Sequence, residues 1–152
     1  MAGLSIRKDL AEKIDDSSQP NTFAGNAMIS AACMANIDIL TENDSALIKR
    51  AAELGEEIKQ QLVEGAEDIR VIGDVRGKGL MIGIELVEDK ESRKPLNGDH
   101  VVEIVMGMLN SGLVMVPCGR FGNVLRFMPP LVLTREHGKK AVDILLETSK
   151  KV

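Results

Sequence analysis

The chain has 152 residues, 44% of them apolar and 28% charged, with a formal net charge of −4. That length supports one domain with a proper core, and the acidic balance argues against a nucleic-acid partner, for which a basic patch is expected. No apolar run reaches membrane-spanning length and the N-terminus lacks a secretory pattern, so no membrane partner and a cytoplasmic location are expected.

In chain order, the first few residues are short and extended in character. Arg7 to Ile14 then has the pattern of a short helix, with Leu10 and Ile14 four apart on one face. Asp15 to Asn21 is a loop by composition. Thr22-Phe23-Ala24-Gly25-Asn26 leads into a run from Ala27 to Leu40 that is apolar nearly all round and rich in small residues. The run predicts a helix buried on most sides. Its N-terminus offers free N–H groups and a partial positive charge, which suits an anion. Thr22 places a hydroxyl just upstream. It could serve such an anion, or Thr22 or Asn26 could simply cap the helix.

Asn43 or Ser45 can cap a second helix running to about Glu64, with Leu47, Ala51, Leu54, Ile58 and Leu62 on its packed face. Lys49, Arg50, Glu53, Glu56 and Glu57 fall elsewhere on the wheel and are expected to be solvated. Ile69 to Arg76 and Gly79 to Val87 read as paired strands, the second alternating Leu80, Ile82, Ile84 and Leu86 with Met81, Gly83, Glu85 and Val87. The stretch Gly73 to Gly79 is one residue short of a phosphate loop, and Gly79 stands where a metal-binding hydroxyl is needed, so that function is excluded. A charged loop from Glu88 to Asn97 precedes a helix over about Asp99 to Asn110, with Gly112 as its terminator. Leu113 to Pro117 is expected to be a strand, and Thr134 to cap a last helix with Ala141, Leu145 and Thr148 inward. Cys33 and Cys118 lie far apart in unlike contexts, which favours reduced thiols. His100 and His137 are too few and too scattered for a metal site.

The most informative stretch lies before that last helix. Gly119 and Gly122 suit a turn, Val124 to Phe127 a short strand, and Pro129-Pro130 stops it, because proline donates no ladder hydrogen bond. Alternation puts Val124, Arg126 and Met128 on one face and Leu125 and Phe127 on the other. An arginine among apolar neighbours is expected to need an anion, since an unpaired buried charge costs several kcal/mol. Its planar fork matches a carboxylate in bidentate fashion. The alternative is a strand-edge arginine that snorkels to water or pairs with a structural glutamate.

Three ordered segments resemble the class III pyridoxal-phosphate (PLP) aminotransferases, which include the 4-aminobutyrate, ornithine and acetylornithine enzymes. Asn123 to Leu131 resembles the family's N-h-h-R-h-x-P-P-L segment (h, apolar). Val75 to Leu86 resembles its V-R-G-x-G-L-M-x-G-h-E-h. Thr22 to Asn26 resembles its T-F-x-G-N-P, with Ala27 in place of the usual proline. The resemblance implies an α+β fold of the fold-type-I PLP-dependent transferases. Residues 1–41 would be a remnant of the large domain, and 42–152 a C-terminal small domain with a mainly antiparallel sheet covered by helices. It implies that Arg126 grips a substrate carboxylate and that Thr22 binds the PLP phosphate of the neighbouring subunit in a homodimer. The implied reaction transfers an amino group from an amino acid to a 2-oxo acid. A racemase or aminomutase of the same fold type is an alternative, and so is a stand-alone interaction domain without catalysis. The family's catalytic lysine and ring-binding residues are expected to lie before residue 1, which leaves this chain inactive alone, with no catalytic residue of its own.

Overall fold

A computed structural model describes residues 6–14, 23 and 25–152. The chain divides into two compact units, Met1–Ala46 and Leu47–Val152. In the first, α1 (Lys8–Ala11) is a single exposed turn. The helical run α2 (Ala27–Gly65) begins there and extends into the second unit; it leaves helical geometry at 42–45. Asn43, Asp44 and Ser45 all have left-handed φ, from +49° to +58°. Asn and Asp tolerate that conformation best among residues bearing a Cβ, so the Asn-Asp-Ser run is where the helix breaks. Asn26 caps the start of α2, its Oδ1 accepting from the Ile29 N–H at 3.1 Å, as one of the two sequence alternatives had it. The apolar run Ala27 to Leu40 is exposed rather than buried on most sides, with Met28 83% and Met34 67% accessible. Composition makes the helix apolar nearly all round without showing what covers it.

The second unit is an α+β layer structure. Four strands, β1 (Ile72–Lys78), β2 (Met81–Leu86), β3 (Val116–Cys118) and β4 (Val124–Phe127), form an antiparallel sheet in the order β1-β2-β4-β3. Period-two alternation sorts its faces. Ile82, Ile84, Leu86, Leu125 and Phe127 are buried, while Asp74, Arg76, Met81 and Arg126 are exposed. The buried face packs against the second segment of α2 through Ala51, Leu54, Ile58 and Leu62, with α3 (Gly98–Asn110) and α4 (Arg135–Ser149) completing the core. At 25 cal/mol per Å² or so of apolar area, side chains of this size contribute about 1.5–3 kcal/mol each.

Close approach explains one glycine pair. A Cβ on Gly55 of α2 would collide with the backbone of Gly79 in the β1–β2 turn, so the helix and the hairpin tip meet only because Gly55 lacks a side chain, while Gly79 serves the turn through its left-handed φ of +55°. Helix ends follow their sequence signals. Thr134 Oγ1 accepts from the His137 N–H at 3.2 Å to start α4. At the end of α3 the Leu113 N–H bonds the Met108 carbonyl (2.9 Å) and the Gly112 N–H bonds that of Leu109 (3.0 Å), a Schellman motif. The third strand is shorter and later than expected, beginning at Val116, because this motif uses Leu113 to finish the helix. No described helix is long and apolar enough to cross a membrane.

Candidate functional site

The site is built around the β3–β4 hairpin. Gly119 and Gly122 have φ of +83° and +69°, values a residue with a Cβ adopts only with strain, and the Gly122 N–H closes the turn on the Gly119 carbonyl at 3.2 Å. Asn123 follows, only 2% exposed. Its Nδ2 donates to the Leu86 carbonyl at 2.7 Å, and the Leu86 N–H donates back to the Asn123 carbonyl at 2.7 Å. That reciprocal pair locks β4 onto the end of β2 and fixes the register that follows: Val124 opposite Glu85, Leu125 opposite Ile84, Arg126 opposite Gly83. A one-residue slip would turn Arg126 into the core.

Beyond the strand, Arg50 of α2 donates to the carbonyls of Leu131 (2.9 Å) and Leu133 (2.5 Å). It holds the chain that leaves Pro129-Pro130. Sequence reasoning placed Arg50 and Glu57 on a solvated face. The structure instead ties both to distant segments, since Glu57 receives two hydrogen bonds from Arg135 at 2.9 and 2.8 Å. The Arg135 hydrogen bond holds the Glu57 carboxyl below its ordinary pKa, and that of Arg135 is raised in turn. Both contacts span about eighty residues, so no local pattern reveals them.

Arg126 itself is exposed, on the open face of the sheet. It lines a cleft of about 220 Å³ with Leu113, Val116, Met128 and Pro129 among its walls. The expectation that burial would force an anion on it therefore needs correcting. Alternation aims the guanidinium away from the core, and among the described residues no carboxylate or carbonyl pairs with it. Across Gly83, on β1, Arg76 is paired with two carboxylates: its Nη1 lies 2.6 Å from both Asp74 Oδ2 and Glu85 Oε2. These two hydrogen bonds, Asp74's the stronger influence, raise its pKa. The Arg76 cluster was missed from sequence, although strand alternation with a turn at Gly79-Leu80 puts all three side chains on one face.

Thr22 lies outside the described residues. The lysines of the chain are exposed or half-buried. Among the described residues no cluster of His, Cys, Asp or Glu could hold a metal ion.

The chain is 42% identical over 145 residues to an alanine/serine racemase of Pyrococcus horikoshii, covering 95% of this chain and 29% of that protein. It is 34% identical over 146 residues to the 4-aminobutyrate aminotransferase of Escherichia coli, covering 95% and 33% respectively. Among solved structures, an amine transaminase from an uncultivated Pseudomonas species, in its PLP-bound form, superposes with a TM-score of 0.76 at 33% identity, covering 90% of this chain and 30% of that one. The chain thus spans about a third of the length of these relatives. The model of the aminotransferase class-III family matches residues 1–148, and the chain belongs to that family.

Proposed function

We propose that the chain is the C-terminal part of a PLP-dependent class III aminotransferase that moves an amino group from an amino acid to a 2-oxo acid, and that Arg126 binds the substrate carboxylate. The observation that carries this is the state of Arg126: a guanidinium fixed by strand register on an open face, beside an apolar cleft, with no partner of its own among the described residues. A carboxylate entering that cleft meets a planar fork of donors, and such bidentate pairs are about twice as strong as neutral hydrogen bonds. Val116 and Met128 flank the contact with apolar surface. Gly83, directly opposite, puts no side chain between the guanidinium and its ligand.

In this reading residues 1–41 belong to the large domain and 42–152 form the small domain. Thr22 holds the PLP phosphate of the neighbouring subunit in a homodimer, and the apolar surface of the first α2 segment lies in the interface, as large apolar patches usually do. When bound, PLP supplies the electron sink for bond changes at the amino-bearing carbon. This chain's residues orient the acid end of the substrate against it.

A second reading is favoured by the 42% identity to a racemase: inversion of an amino acid with no acceptor. Arg126 serves equally in both. The full-length protein, incubated with a single L-amino acid with and without a 2-oxo acid, separates them. Formation of a new amino acid that depends on the 2-oxo acid supports amino transfer; appearance of the D-enantiomer without any acceptor overturns it in favour of racemisation. Neither product would point to the non-catalytic interaction domain.

A further inference from the structure

The open face of the sheet carries a row of charges that substrate binding by Arg126 does not by itself explain. Asp74 on β1 stands directly opposite Glu85 on β2, and Arg76 opposite Gly83. Two carboxylates facing each other across adjacent strands repel. Arg76 relieves this with a single nitrogen 2.6 Å from an oxygen of each. On the other flank of β2, Arg126 also stands opposite Gly83, with Val124 opposite Glu85. Glu85 therefore occupies the diagonal position to two arginines, one on each neighbouring strand. Diagonal neighbours lie about 7–8 Å apart, within reach of long side chains, and the Arg76–Glu85 ion pair spans such a diagonal on the first flank. Gly83 has no side chain to block the second.

Glu85 is thus the built-in competitor for Arg126. A tethered carboxylate acts at an effective concentration of order millimolar or more, enough to rival a free substrate. The carboxylate nevertheless lies on Arg76, which Asp74 anchors from its own strand.

We propose that Arg76 is a positioning residue that holds Glu85 away from Arg126, so that the guanidinium of Arg126 stays open to an incoming carboxylate. The proposal rests on the reading of Arg126 as the carboxylate-binding residue. It makes the V-R-G segment a guard for the substrate arginine in addition to a turn.

The test is the rate at which phenylglyoxal, which attacks free guanidinium groups, labels Arg126 in the 152-residue chain, followed by peptide mass spectrometry. Exposed Arg120 serves as internal reference, and partly buried Arg50 reports unfolding. In Arg76→Gln, Glu85 turns to Arg126 and its labelling slows several-fold relative to Arg120. In Arg76→Gln/Glu85→Gln the rate returns to that of the unaltered chain. In Glu85→Gln alone it does not change. Equal Arg126 rates in Arg76→Gln and the double variant overturn the proposal. So does a faster rate in Glu85→Gln alone, which needs no change at Arg76 and stays informative if Arg76→Gln unfolds. These rates do not depend on what Arg126 binds, so failure here is distinct from failure of the substrate reading, which appears only in enzyme kinetics.

Discussion

Replacing Asn123 by alanine removes one arm of the reciprocal hydrogen bond that sets the register of β4. The backbone arm, from the Leu86 N–H to the Asn123 carbonyl at 2.7 Å, survives the change. The side-chain arm to the Leu86 carbonyl, also 2.7 Å, is lost. That carbonyl keeps a second donor, the Leu96 N–H at 3.1 Å, so it is not orphaned. The cost is then near the net value of one buried hydrogen bond plus a little packing, about 1–2 kcal/mol. For a domain of this size, at about 4 °C per kcal/mol, the melting temperature falls by roughly 4–8 °C. Asn123→Asp is harsher, because a carboxylate oxygen replaces the donor and faces the Leu86 carbonyl in a buried site. Burial raises the pKa of the new carboxyl in the folded state above its unfolded value of about 3.9. The folded state then holds the proton more tightly. Stability of Asn123→Asp is therefore greatest below the unfolded pKa and declines as pH rises towards the folded one. Circular-dichroism melts of all three chains between pH 4 and pH 8 measure both effects. An Asn123→Ala chain that melts with the parent, or an Asn123→Asp chain with no added pH slope, would refute the argument.

Two further outcomes follow from contacts elsewhere. The Arg135 pair lowers the folded pKa of Glu57, so its contribution is complete above the unfolded carboxyl pKa and disappears as pH falls through the folded one; Glu57→Gln should lower the melting temperature at pH 7, and the difference from the parent should shrink steadily as pH falls below the unfolded carboxyl pKa. Met28, Met34 and Ile37 are more than half exposed on the first α2 segment, so the chain should self-associate in analytical ultracentrifugation, and Met34→Glu should shift it towards monomer; a clean monomer at high concentration would count against the interface.

The strands were legible because their signals are local. The alternation from Leu80 to Val87 marks β2, and Gly119, Gly122 and the double proline bracket β4 on both sides. Thr134 and Gly112 announced their helix ends for the same reason, since a cap is chemistry within one turn. The Arg126 position was legible as a face, but its exposure was not, because the sequence shows alternation without showing which face is covered. Arg50 was read as a solvated residue, and its grip on Leu131 and Leu133 depends on how α2 lies across the sheet. Asn123 was seen only as the first letter of a motif, and its burial follows from Leu86, thirty-seven residues earlier. The run Ala27 to Leu40 shows the same limit: apolarity can be read from composition, but the surface that covers it cannot.

The most direct test of the central claim is the selectivity of Arg126→Lys in the full-length enzyme for an amino acid over the matching amine without its carboxylate. Lysine keeps the charge and loses the bidentate fork. Losing one charge-assisted hydrogen bond costs about 1.5–3 kcal/mol, so kcat/KM for the amino acid should fall by roughly ten- to a hundred-fold. The decarboxylated amine, which never used the contact, should be affected little. Equal losses for the two substrates, accompanied by a lower melting temperature, would mean that Arg126 braces the strand and does not bind the carboxylate.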